Sequence, residues 1–363
     1  RLAGTNAPAS DRRIKALADH RRKRPNVTRT MVMRERAQPR ETVVFIKGDF
    51  TRPGPKVTAD IPAVFKRSQP ALLRGDRRDL ADWIASPANP LTARVVVNRI
   101  WQAYFGRGLV ETENDFGTMG SEPTHPALLD WLAAELMESG WSLKHIHRLI
   151  VSSATYQRAS TQSSMRDGPD ADPRNLLLAR QNRVRLDAES IRDMALVASG
   201  LIDRRVGGPP VFPPQPEGLG AFTQNKREWP TSKGGDRFRR ALYTHLQRAT
   251  LHPALAAFDA PDTFTTCTRR QRSNNPLQAL TLLNDPAFDE IASALATRIA
   301  NQPGTDDSRA QSAFAWVVGR QPERAEAELL SRLLAAERQA GASQPWRAVA
   351  RVLLNLDEAI TRE

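Results

Sequence analysis

The 363-residue sequence predicts a mainly α, multi-helix globular domain with a small β element near the N-terminus. Three observations carry that expectation. From about residue 79 onward, apolar residues recur at helical spacing, in segments often opened by a capping residue or proline and closed by glycine. Ahead of them stands one short β-branched run, TVVFIK at 42–47, followed by the turn signals Gly48-Asp49 and Arg52-Pro53-Gly54-Pro55. No internal repeat, coiled-coil heptad or apolar run of the ~18 residues needed for a membrane span breaks this pattern.

In chain order, residues 1–40 read as a basic arm or linker with one short helix at 10–20 and the cluster Arg21-Arg22-Lys23-Arg24. Residues 41–67 read as the small β element, in which a second extended piece at 56–65 closes a hairpin-like unit. Residues 68–363 read as the helical domain. Leu80, Trp83 and Ile84 mark a helix over 79–86. Asn89 is a good N-cap and Pro90 a good first residue for the next, which carries Val95, Val96, Ile100, Trp101, Tyr104 and Phe105. Thr124 and Pro126 open another, with Leu128, Leu129, Leu132, Leu136 and Met137 as its stripe and Gly140 as its stop. Ser142 caps a helix running to about Tyr156, 161–173 is a polar loop, and 186–200 is helical again. The Pro/Gly-rich loop at 203–235 is long for a connection, and Val211, Phe212, Phe222 and Trp229 predict an ordered meander there. Helices are expected at 236–249, 276–300, 308–318, 323–340 and 345–361.

Net charge is +13, and its placement is uneven. Residues 1–67 hold 17 Lys or Arg against 6 Asp or Glu, whereas residues 68–363 hold 36 against 34. The basic arm therefore fits nucleic acid or an acidic neighbour, and docking on a neighbour is the preferred reading. Arg outnumbers Lys 45 to 8, which favours planar, bidentate contacts over mobile point charges. Cys267 is the single cysteine, so an internal disulfide, a C-x-x-C-H haem attachment and a thiolate zinc cluster are all excluded. Its scarcity leans toward an exported protein. It reads as buried and inert, with a nucleophile as the alternative. The first residue is Arg1 rather than Met, so further sequence is expected upstream.

The best chemical candidate is the run Arg269, Arg270, Arg272 just before Asn275, an N-cap, and Pro276. Free amides near Leu277, the positive helix end and three guanidinium groups could hold a sulfate, phosphate or carboxylate. The competing reading fastens loops by pairing these arginines with Asp187, Asp193 or Asp285. A second cluster, Arg183, Arg185, Asp187, Glu189, Arg192 and Asp193, fits a structural ion-pair ladder better than an acid–base pair. Arg94, Asn98 and Arg99 thread polar groups between the apolar residues of their helix. Asp115, in the loop Asn114-Asp115-Phe116-Gly117, could be a catalytic carboxylate, but an Asx cap of its own turn is preferred. No metal site is expected: His145 and His147 are two apart, and neither H-E-x-x-H, G-x-S-x-G nor a phosphate-binding loop occurs.

Several long motifs, in order, resemble one family: NPLTARVVVNRIWQAYFGRGLVETENDFGT, THPALLDWLAAELMESGWSLKHIHRLIVSSATYQ, RLDAESIRDMALVASGL, RRQRSNNPLQALTLLNDPAFDE and the terminal RVLLNLDEAITRE. The chain is similar over roughly 40–361 to the planctomycete-type domain of unknown function 1553, found on the C-terminal side of planctomycete cytochrome c-like proteins. The matching polar residues are Arg94, Asn98, Arg99, Asp115, Arg185, Asp187, Arg192, Asp193, Arg270, Arg272, Asn284 and Asp285. The TFTTCT lead-in and His145 look individual to this chain. The resemblance implies an exported, periplasmic or cell-envelope setting, with missing N-terminal domains of the same protein as partners. It implies no cofactor in this chain and a possible haem c upstream.

The expected function is thus an accessory, non-catalytic domain linked to electron transfer or polysaccharide handling, with an acidic or sulfated glycan as the expected ligand. Two alternatives stay open. One is a hydrolase or transferase using Asp115 and Asp187 as paired carboxylates. The other is nucleic-acid binding through the basic arm.

Overall fold

The computed structural model describes residues 8–23, 30–68, 75–160, 172–219, 228–248 and 250–362. Among these, thirteen α-helices and two short antiparallel sheets give the mainly α architecture. The chain forms two compact units, residues 1–89 and 90–363.

The first unit begins with α1 (Pro8–Arg22), longer than the helix expected at 10–20. A hairpin follows, pairing β1 (Thr42–Phe45) with β2 (Pro53–Val57), in which Thr42 faces Val57. The second strand thus lies earlier than the extended piece at 56–65, because a tight turn at Ile46–Gly48 reverses the chain at once. Asp76 then caps α2 (Arg77–Ile84), its Oδ1 accepting the amides of Arg78 and Asp79. The Asn89 side chain donates to the Trp83 carbonyl and its amide to that of Ser86, closing the end of α2.

The second unit holds two cores. The first lies among α3 (Thr92–Phe105), α4 (Pro126–Glu138) and α5 (Leu143–Val151). Their stripes bring Val97, Trp101, Phe105, Leu132, Leu136 and Ile146 together, and Trp101 stacks on Phe105 one turn away at 4.2 Å. α5 stops at Val151 rather than near Tyr156. The Ser152 and Ser153 hydroxyls donate back to the Arg148 and Ile150 carbonyls, competing with the next helical bonds.

The second core lies among α6 (Ala188–Ser199), α7 (Pro253–Ala257), α8 (Pro276–Asn284), α9 (Pro286–Ala300), α10 (Asp306–Val318), α11 (Arg324–Gln339), α12 (Pro345–Leu354) and α13 (Asp357–Ile360). α9 is central, its Ile291, Leu295 and Ile299 buried against α6 and α12. The single helix expected at 276–300 is two: Pro286 has no N–H to continue α8, and Asp285 caps α9 by accepting the Ala287 amide at 2.9 Å. A break at Asn355-Leu356 likewise splits 345–361.

The helix expected at 236–249 is absent. Short 3₁₀ turns at Gly234–Phe238 and Ala241–Tyr243 stand there instead. Arg192 of α6 donates to the carbonyls of Arg237 and Arg239, each at 3.0 Å, and Asp193 accepts the Ala241 amide at 2.6 Å. Those long-range bonds occupy groups that a helix would need. The 203–235 loop is ordered where described, with Val211 bridging Thr244 and Phe212 packed against Trp229 and His245. Phe222 lies outside the described residues, as do positions 161–171 of the polar loop and Arg24 of the arm.

Where the two cores meet, the end of α3 is tied down three ways. Gly106 ends the helix in the left-handed conformation (φ 77°). Asn182 donates to the Phe105 carbonyl at 2.8 Å, and Arg362 donates to that of Tyr104. Arg362 sits in β4 (Thr361–Arg362), paired antiparallel with β3 (Val184–Arg185), a sheet the sequence did not announce. Within α3, the fully buried Asn98 accepts the Val110 amide at 2.9 Å and donates to its carbonyl at 3.0 Å. A Cβ at Gly108 would lie 2.6 Å from that carbonyl and 2.7 Å from Asn98, so only glycine lets the loop close. Asn98→Ala leaves two buried backbone groups unpaired, and chemical denaturation is expected to show a loss of about 2–4 kcal/mol.

Candidate functional site

Two contiguous hollows lie at this junction. The larger, about 630 Å³, is lined by Arg107, Arg174, Arg180, Arg183, Arg185 and Arg272, among others. The smaller, about 490 Å³, adds Arg269 and Arg270. Gly106, Arg107, Arg272 and Ser273 line both, so together they make one trough. Its walls come from the turn after α3, from residues 174–185 leading into β3, and from the loop before α8.

The trough is short of counter-charge. Glu111 serves both Arg174 (2.6 Å) and Arg107 (3.7 Å). Asp357 serves both Arg183 (2.5 Å) and Arg185 (3.3 Å). Arg270 makes a two-pronged pair with Glu189 at 2.5 and 3.1 Å, and Arg272 approaches Asp187 at 3.6 Å. Asp172 accepts the Leu177 amide at 2.6 Å, which with the amide of Leu176 and the nearby Arg180 and Arg107 holds its carboxyl below the ordinary range. Eight guanidinium groups thus meet five carboxylates among the described residues, an excess of +3. Arg180 makes only a 3.4 Å bond to the Pro173 carbonyl, and the exposed Arg269 has no partner among the described residues.

The sequence-predicted residues divide. Arg269, Arg270, Arg272 and Arg185 line the trough, but Asn275 and Leu277 face a separate hollow that also bears Asp259 and Asp285. Two carboxylates make that hollow a poor place for an anion, and Asn275 already spends its Oδ1 on the Gln278 amide. Arg192 and Asp193 pin the 237–241 segment. Burial pushes the Arg192 guanidinium down to about 10, and it keeps neighbouring His252 below the usual histidine range. Arg94 pairs with Asp130 at 2.7 Å and Arg99 reaches Asn114 at 3.5 Å, both outside the trough. Asp115 accepts the Gly117 amide at 2.8 Å, the Asx turn expected of it. Asp187 occupies the N-cap position of α6 without a side-chain cap bond.

Two corrections follow. Glu189 pairs across to Arg270 rather than along its own helix, and Cys267 is exposed rather than buried, its Sγ 3.3 Å from the Arg269 carbonyl. Sequence reasoning also missed Arg107, Arg174 and Arg180. The available signal was the arginine density of 174–185, with four in twelve positions. Among the described residues, no group of three or more His, Cys, Asp or Glu could hold a metal ion, and no helix is long and apolar enough to cross a membrane.

The Glu189–Arg270 pair makes a pH prediction. Burial is the largest single influence and works against the Glu189 charge, but the hydrogen bonds from Arg270, that from its own backbone amide and the Arg270 charge together outweigh it and leave the carboxyl below its ordinary 4.5. The pair therefore stabilises the fold fully above that value and loses its contribution as pH falls through the lower, folded value. Urea denaturation across pH 5 to 3 is expected to show a smaller acid-induced loss in Glu189→Gln than in the parent.

Comparison with curated proteins and with solved structures gives no match. A family model described as PSD1, protein of unknown function (DUF1553), matches residues 76–334, which take in α2 to α10, the greater part of α11 and most of the trough. With more than half of its length matched, and with its motifs falling on the helices and loops that build this junction, the chain belongs to the PSD1 (DUF1553) family.

Proposed function

We propose that residues 90–363 form an accessory, non-catalytic domain that binds an acidic or sulfated glycan in the arginine trough. The observation that carries this reading is the guanidinium excess, with Arg180 and Arg269 outside any ion pair. Planar guanidinium groups match carboxylate and sulfate oxygens two at a time, which ammonium groups cannot do. The commitment of Asp115 to its own turn and of Asp187 toward Arg272 supports a binding role over chemistry by paired carboxylates.

The exported setting belongs to the same proposal, with N-terminal partner domains and a haem c module among them. It rests on the family resemblance, and a secretion signal and C-x-x-C-H motif in the full-length gene product check it. Nucleic-acid binding through the basic arm is the competing reading. It would survive changes in the trough and vanish on deleting residues 1–40.

Dextran sulfate at about 100-fold its Kd is expected to stabilise the fold by about 2.7 kcal/mol, a rise in Tm of about 5 °C, whereas neutral dextran gives none. Arg180→Ala and Arg269→Ala each reduce the shift, because each removes a guanidinium group from the trough. Equal shifts in parent and both variants would remove the trough as the binding site.

A further inference from the structure

The trough has a second property, beyond its charge: its uncommitted cations stand in different hollows. Arg180 lines the larger hollow and Arg269 the smaller. Between them lies a shared ridge of Gly106, Arg107, Arg272 and Ser273, whose arginines are already drawn toward Glu111 and Asp187. A small anion seated in either hollow meets one of these two guanidinium groups.

Among the described residues, the trough also offers no stacking surface. Phe105 is the one aromatic among its lining residues, and it is 1 % exposed. A nucleobase has no ring face to stack on, which is the main sequence-tolerant contact by which single strands are held. A bare sugar ring equally has no aromatic platform. Recognition in this trough therefore runs through charged substituents rather than through ring faces.

Resting on the glycan reading above, we infer that the ligand is an extended polyanionic saccharide held at two stations at once. One sulfate or carboxylate sits at Arg180 in the larger hollow. Another sits at Arg269 in the smaller, and the chain passes over the Arg107–Arg272 ridge between them. Once the first station is filled, the second group of the same chain meets its arginine at high effective concentration, so affinity climbs with chain length without new kinds of contact.

The test is calorimetric titration of the whole chain with dextran sulfate disaccharide and octasaccharide. The octasaccharide is expected to bind about 100-fold more tightly than the disaccharide. Arg180→Ala and Arg269→Ala should each weaken the octasaccharide about tenfold, roughly the worth of one charge-assisted contact. The disaccharide should respond to only one of the two changes. Arg269 is exposed and unpaired, so its variant folds as the parent does, and the unliganded Tm checks both.

An octasaccharide that binds no more tightly than the disaccharide overturns the two-station inference and leaves the glycan reading standing. So does an octasaccharide indifferent to either variant alone. A single-stranded oligonucleotide of equal charge that binds as tightly as the octasaccharide overturns the saccharide assignment. No binding by either saccharide to the parent removes both readings together.

Discussion

Two side chains reach across the second unit to the last turn of α3, and the arrangement of that unit depends on them. A helix ends with carbonyls that have no partner within it. Here Asn182 and Arg362 supply donors to the Phe105 and Tyr104 carbonyls, one from the segment just before β3 and one from the strand β4. The first core, around α3 to α5, and the second, around α9, are thereby joined through backbone groups rather than through a shared apolar face. Arg362 also lies over the ring of Tyr156, at 5.9 Å, so the same side chain engages the first core by its face. The trough opens beside this joint because polar groups gather there, and apolar packing resumes on either side.

The cations of the trough and the anchors of the fold are drawn from the same residue type and do different work. Arg192 and Arg239 are buried and spend their guanidinium groups on loop carbonyls: Arg237 and Arg239 for the first, Arg205 and Gly207 for the second. Arg320 is held between Glu326 and Glu358 and fastens the start of α11 to α13. Their terminal N–H groups are engaged within the fold. Around Glu111 and Asp357, by contrast, each carboxylate faces two arginines. The difference is one of counting partners, and it separates scaffold from site within an arginine-rich chain.

The helical stripes were legible in the sequence because burial imposes a period that needs no knowledge of the partner: Leu132 and Leu136, or Ile291, Leu295 and Ile299, declare a face by spacing alone. Caps at Ser142 and Asn275 were legible for the same local reason. The break at Pro286 was locally encoded as well, and the apolar run across it concealed it. The loss of the helix at 236–249 was not local at all, because Arg192 and Asp193 sit more than forty residues away. The site was half legible. The run Arg269, Arg270, Arg272 advertised itself, but Arg107 and Arg180 enter the trough from segments far apart in sequence, and only the closure at α3 brings them together. The amides near Leu277 looked promising because a helix start is visible in one dimension, whereas the carboxylates of Asp259 and Asp285 beside it are not.

Among the described residues, every cation lining the trough is arginine, and none is lysine. Its positive charge is therefore indifferent to acetylation and does not fade under alkaline conditions, where an ammonium would begin to lose its proton.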